Sequence, residues 1–185
     1  SDPQNLSLGN PSLKPEYVHR LTTRFNSFNM LNQRSFFGNL NIAYTKDKIA
    51  TYQTIDKRLV TTSKPINTPY DMTLSTFLGM GYKIGSTPFR INGGINGSYN
   101  YGFNTINTIE TITEKYVTAA TIRAEYRIDD KLETSIRYKY GYNLTHYQIG
   151  TISDQANITQ SITADATYQF PLGITLNSSL QMDKY

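Results

Sequence analysis

Almost the whole chain alternates apolar and polar residues with a period of two, over runs much longer than a soluble strand needs. From Phe89 to Phe103, one face carries Phe89, Ile91, Ile95, Tyr99, Tyr101 and Phe103, with Gly93 and Gly97 between them. The other carries Arg90, Asn92, Gly94, Asn96, Ser98 and Asn100. The next run sets Tyr116, Thr118, Ala120, Ile122, Ala124, Tyr126 and Ile128 against Thr121, Arg123, Glu125 and Arg127. A third sets Leu132, Thr134, Ile136, Tyr138, Tyr140, Tyr142 and Leu144 against Glu133, Ser135, Arg137 and Lys139. In a strand, successive side chains point to opposite faces, so this pattern predicts strands with one apolar and one wet face. They are expected at Glu16–Phe28, Phe36–Thr54, Tyr70–Ile84, Phe89–Phe103, Tyr116–Ile128, Leu132–Leu144, Asn157–Phe170 and Ile174–Met182. A weaker arm is expected through Arg58–Ser63, returning from a hairpin.

Strand length separates the possible architectures. Strands in globular proteins run about 5–6 residues, whereas crossing a bilayer takes about 9–11. No apolar run approaches the roughly 20 residues of a spanning helix, so a membrane reading requires a barrel. Composition agrees: fifteen tyrosines and eight phenylalanines in 185 residues favour pleated strands over helices. The absence of cysteine excludes a disulfide framework and thiolate metal sites. A net charge of +4, with basic residues dispersed among polar ones, argues against a nucleic-acid partner, which needs a concentrated patch. The N-terminus has neither the basic nor the apolar region of a signal peptide.

The connections alternate in length. Those at Asn29–Arg34, Gly85–Pro88, Asp129–Lys131 and Pro171–Gly173 are short; those at Lys46–Pro69, Asn104–Lys115 and Tyr147–Ala156 are long. Short periplasmic turns and long outer loops are the asymmetry of outer-membrane barrels. Aromatics crowd both ends: Phe28, Phe36, Phe37, Phe89, Tyr126, Tyr168 and Phe170 near the short turns, and Tyr17, Tyr70, Tyr101, Tyr116 and Tyr142 near the long loops. Two interfacial girdles are therefore expected. The alternative is a soluble β-sandwich with tyrosine-rich edges, which must bury the apolar face. The fold class expected is all-β, an antiparallel transmembrane β-barrel segment of about eight strands, with backbone groups in hydrocarbon paired by closure. Residues 1–185 form one such segment, 1–15 an outer loop and 16–185 the strands and loops. Strand direction puts both ends outside, and Tyr185 is out of phase with Leu180 and Met182, so an incomplete barrel is expected.

The opening residues carry a resemblance. Ser1-Asp2-Pro3, then Leu8-Gly9-Asn10-Pro11, then Leu13-Lys14-Pro15-Glu16-Tyr17 resembles the SDP…GNPxLKPEY signature of the TonB-dependent receptor superfamily. It is most similar to the Bacteroidota branch of outer-membrane β-barrel family proteins. Leu40–Ile49 is similar to that family's ascending AYY…DAI strand, and Thr61-Thr62-Ser63-Lys64-Pro65-Ile66-Asn67 to its TTxxPxN outer loop. The resemblance implies a barrel of about 22 strands with a plugged lumen in the Gram-negative outer membrane. It also implies uptake of a scarce small ligand, driven through a TonB-type energy-coupling protein. Partners implied are outer-membrane lipid, a plug domain, that coupling protein and an unidentified ligand. No plug domain or TonB box occurs in these residues. A plug-free barrel acting as scaffold, adhesin or passive pore is the alternative.

No catalytic constellation is present, so neither an enzyme nor a cofactor is expected. His19 and His146 are far apart in sequence and read as polar interfacial residues, and Gly79-Met80-Gly81-Tyr82-Lys83-Ile84-Gly85 reads as strand, not a dinucleotide loop. The wet face holds the candidate residues: Arg20, Arg24, Arg90, Arg123, Glu125, Arg127, Glu133, Arg137, Lys139 and Asp165. A three-residue connection at Asp129–Lys131 sets Arg127 opposite Glu133 and Arg123 opposite Arg137, with Glu125 diagonal to Arg137. These residues either hold a plug, guide solute or simply keep a barrel interior wet. The resemblance implies that the motif residues Gly9, Asn10, Pro11, Leu13, Lys14, Pro15 and Glu16 sit on an outer loop, while the long loops Gln53–Thr68 and Asn104–Glu114 are the candidates for ligand contact.

Overall fold

A computed structural model describes residues 5–56, 59–106, 109–128, 131–148 and 153–185. The Ser1-Asp2-Pro3 motif, Arg58 and the start of the Asp129–Lys131 connection lie outside the described residues. The described chain is all strand and turn: β1 (Asn5–Ser7), β2 (Tyr17–Asn29), β3 (Arg34–Ile55), β4 (Thr61–Lys83), β5 (Phe89–Ile106), β6 (Ile109–Ile128), β7 (Leu132–Tyr147), β8 (Gln155–Gln169) and β9 (Thr175–Lys184). All belong to one nine-stranded sheet. From β2 to β9 it is an antiparallel meander, each strand pairing with the next.

The eight expected spans are all present, but the outer connections differ from expectation. Two predicted long loops are mostly strand. The β3–β4 ladder continues without slipping from Arg34↔Tyr82 to Ile55↔Thr61, so the weak arm near Ser63 is the start of β4. The β5–β6 ladder likewise runs on to Ile106↔Ile109. Thr, Ile and Tyr in these extensions favour extended backbone. A ribbon beyond the membrane is wet on both sides, so its alternation is weak and it reads as loop.

The register keeps like with like. Ile122 lies across from Gly93 and Tyr138, Ala124 from Ile91 and Ile136, whereas Arg123 faces Asn92 and Arg137. One face is thus apolar and the other polar across the whole meander. The apolar face is open, with Ile95, Ile122, Ile136 and Leu180 each more than half exposed. The polar face is the more enclosed: Ser135 is buried at 4% exposure, and Ala119, on the same face, is the one buried hydrophobic residue among those described. The sheet therefore curls around its polar side. A soluble sandwich buries the opposite face, so the open apolar surface excludes that alternative.

Glycines make room for neighbouring side chains on both faces. A Cβ at Gly79 would meet the Phe37 ring at 2.5 Å, and one at Gly141 would meet Thr159 Oγ1 at 2.5 Å, both on the polar face. On the apolar face Gly93 and Gly97 leave at least 3.5 Å, but a Cβ at Gly38 would meet Leu78 Cδ2 at 2.8 Å. The register also corrects the inner girdle. Phe36, Phe89, Tyr126 and Tyr168 lie on the apolar face, but Phe28 pairs with Ser35 and Phe37 with Gly79 on the polar one. The five tyrosines expected in the outer girdle share the apolar face, and Tyr44 and Tyr99 join them: Tyr44, Tyr70 and Tyr101 stack in series at 5.8 and 5.1 Å, and Tyr99 lies against Tyr116 at 4.8 Å.

The β3–β4 hairpin changes neighbours along its length. In its lower part β4 lies between β3 and β5, while β3 also carries β2. In its upper part Gln53 of β3 pairs with Ile106 of β5, and Thr61–Ser63 of β4 pairs with Asn5–Ser7 of β1. The order becomes β1-β4-β3-β5. The two strands therefore wind half a turn about each other between these levels, an exaggeration of the twist of two-stranded ribbons. Asp47 stands at the crossing with φ +52°, a left-handed conformation that Asp tolerates better than most residues.

Candidate functional site: the polar face and the outer clasp

Ten charged residues were expected on one face, and the register of β2, β5, β6, β7 and β8 brings them there. Arg20 and Arg24 lie opposite Ala43 and Asn39 on the polar face of β3. Arg127 is opposite Glu133 as expected, with Nη2 donating to Glu133 Oε2 at 2.7 Å. Arg123 is opposite Arg137, also as expected. Glu125 is paired within its own strand, its Oε1 3.1 Å from Arg123 Nε, and lies between Arg90 and Ser135 in register. Lys139 stands between Thr121 and Ser161. Asp165 accepts from Ser179 Oγ at 2.7 Å and from Ser135 Oγ at 3.3 Å. A shallow cavity of about 360 Å³ opens here, lined by Arg123, Glu133, Asp165 and Asn177 among others. Seven of the ten are cations and three are anions, so the face is basic overall, with Glu125, Glu133 and Asp165 set among the cations of β6 and β7.

Three phenylalanines, Phe28, Phe37 and Phe77, interrupt this polar surface, and the last two pair. Phe37 and Phe77 stand on the polar face with ring centroids 5.4 Å apart. Phe37 lies flat over Gly79, and Phe77 comes within 3.3 Å of where a Cβ on Gly94 would sit. Glycine is required at 79 because any side chain there would collide with the ring. The pair is bordered by Asn39 and Asn96 in register with Phe77, and Phe37 is 43% exposed. Sequence reasoning assigned Phe37 to the girdle and passed over Phe77. The signal was there in phase alone: each shares its parity with polar neighbours, Phe37 with Asn39 and Asn41, Phe77 with Ser75 and Thr73.

The opening motif forms a clasp across the crossing of β3 and β4. Asn10 Nδ2 donates to Pro65 O at 2.8 Å, while its Oδ1 accepts from Ser12 N and Oγ and so orders the Pro11 turn. Lys14 and Asn67 exchange two hydrogen bonds, Lys14 N to Asn67 Oδ1 at 2.8 Å and Asn67 Nδ2 to Lys14 O at 2.9 Å. The same Nδ2 reaches Asp47 O at 2.7 Å. Glu16 holds Lys48 Nζ at 3.4 Å and accepts from Ile49 N. Gly9, Leu13 and Pro15 supply the backbone path between these anchors. Both halves of the motif resemblance thus meet in space, through Pro65 and Asn67.

A third polar group lies beyond the outer tyrosines. Glu114 accepts from Tyr116 OH at 2.7 Å and Gln148 Nε2 at 2.9 Å, which hold its carboxyl below the ordinary value. His146 Nδ1 lies 2.7 Å from Asp154 Oδ1. That hydrogen bond raises the imidazole above its ordinary value and lowers the Asp154 carboxyl. Among the described residues no cluster of His, Asp or Glu has the grouping of a metal site.

Comparison with curated proteins and with solved structures finds no match to the chain. A family model does match, over residues 1–170, and it describes the outer membrane protein beta-barrel family. The antiparallel meander, the open apolar face between two aromatic belts and this match agree: the chain belongs to the outer membrane protein beta-barrel family, and its place is the outer membrane.

Proposed function

We propose that the chain is a wall segment of a TonB-dependent receptor-like transporter that takes up a scarce ligand, with its polar face lining a lumen filled by a plug domain. The Phe37–Phe77 pair, with Phe37 exposed and Phe77 half-buried, carries this reading. The wall of a water-filled pore gains nothing from phenyl rings, since apolar surface left in water forgoes about 25 cal/mol per Å². Rings held flat over glycines, bordered by asparagines and with Arg24 nearby in register, form a small apolar centre inside a polar rim. That is the anatomy of a surface that meets another folded protein. The mixed charges of Arg123, Glu125, Arg127, Glu133, Arg137, Lys139 and Asp165 suit the same occupant, being complementary to a surface of alternating sign better than to a simple ion. Arg20, Arg24 and Arg90 complete the lumen-facing set. On this reading the protein works with outer-membrane lipid, a plug, a TonB-type coupling protein and a small ligand, and performs no covalent chemistry.

The test is electrical. The intact protein in planar bilayers is expected to be closed, and Phe37→Ala with Phe77→Ala to raise the frequency of channel-like openings by loosening the plug. Steady conductance in the unaltered protein, unchanged in the double variant, overturns the plugged reading and favours a passive pore.

A further inference from the structure

The clasp and the crossing together have the parts of a mechanical device. The upper hairpin, residues 48–68, is attached to the sheet below through one crossing, where Asp47 is left-handed and Pro69 lacks an N–H to donate. Above the crossing, the described residues are held by β1 along Thr61–Ser63, by Asn10 to Pro65 and by a bridge from Gln53 to Ile106. Three bonds at the crossing meet on one side chain. Asn67 bonds Lys14 twice and Asp47 once, tying the strap to both strands at the point where they cross. Glu16 adds a second tie to Lys48 and Ile49 just above it.

We propose that the strap Gly9–Glu16 is a latch on the outer hairpin. With the latch closed, the hairpin keeps its half-turn and β3 rests against the outer end of β5. With it open, the half-turn relaxes about Asp47 and Pro69, β3 leaves β5, and the hairpin swings as a unit on the outer rim. Hinges of this kind need a few residues that absorb a backbone change while the elements they join stay intact. The β3–β4 ladder is unbroken on both sides of the crossing, so hairpin and sheet each move as a body. The latch stands whether or not the lumen holds a plug, because its bonds run between the strap and the two strands of the hairpin.

The chain contains no cysteine, so introduced pairs report cleanly within it. Gln53→Cys with Ile106→Cys reports the upper contact, and Thr73→Cys with Asn100→Cys reports the sheet below. Disulfide formation after mild oxidation is followed in outer membranes, on molecules that keep the folded, heat-modifiable gel migration. Asn67→Ala and Glu16→Gln are each expected to slow the upper pair at least tenfold and to leave the lower pair unchanged. Asn67→Asp, which keeps the acceptor for Lys14 N and loses both donated bonds, is expected to fall between and carries the test if Asn67→Ala fails to fold. An upper rate within twofold of the unaltered protein, or equal slowing of both pairs, overturns the latch.

Discussion

The two faces differ by one residue along the chain, which makes neighbouring substitutions a strict test. Ile122 is on the open apolar face, 55% exposed, across from Gly93 and Tyr138. Tyr126, in the inner girdle, lies four residues nearer the short turn on the same strand. At about 3.4 Å per residue and a strand tilt of roughly 40°, Ile122 is about 10 Å above that ring, near the middle of an apolar band about 25 Å tall. An arginine at such a depth costs about 2–4 kcal/mol, a factor of roughly 30 to 900 in the folded ratio. Thr121 points the other way, in register with Gly94 and Lys139, where a long cation reaches water and the expected change is within about 0.5 kcal/mol. Urea titration of the intact protein in phospholipid vesicles, read by heat-modifiable migration, compares Ile122→Arg with Thr121→Arg. Equal shifts of the two midpoints refute the assignment of faces.

Gly79→Ala places a methyl against the Phe37 ring and is expected to cost about 1–3 kcal/mol, with Phe37→Ala in the same chain recovering most of it; additive losses in the double-mutant cycle would show that the ring is not the obstacle. The His146–Asp154 pair closes the outer connection between β7 and β8, and Tyr147 N also donates to Asp154. His146 is raised from 6.5, so its contribution is complete below 6.5 and fades as pH climbs through the raised value. Asp154 is lowered from 3.8, so its contribution is present above 3.8 and is lost as pH falls through the lowered value. Protection of the Tyr147 amide, relative to its intrinsic exchange rate at each pH, is therefore expected to be greatest between 3.8 and 6.5, and Asp154→Asn to return the His146 titration toward 6.5. A His146 titration identical in the variant would dismiss the pairing.

Period-two alternation is local, so the sequence alone determined which residues share a face and, with the short turns, which residues stand opposite one another. The pairs Arg127–Glu133 and Arg123–Arg137 needed only strand phase and a three-residue turn. The outer tyrosines were legible for the same reason. The side to which Phe37 and Phe77 belong was also written in their phase, but aromaticity near a turn outweighed it, and Phe37 was assigned to lipid when it faces the polar side. The opening motif was legible as a pattern and silent as a mechanism. Its partners Lys48, Pro65 and Asn67 lie 32 to 55 residues away, and they meet it only because β3 and β4 exchange places above the crossing. A half-turn of a hairpin is a sum of small twists over many residues, set by long-range pairing with β1 and β5, and no single residue announces it. Tertiary structure alone decided that the strap, the crossing and the outer hairpin are one assembly.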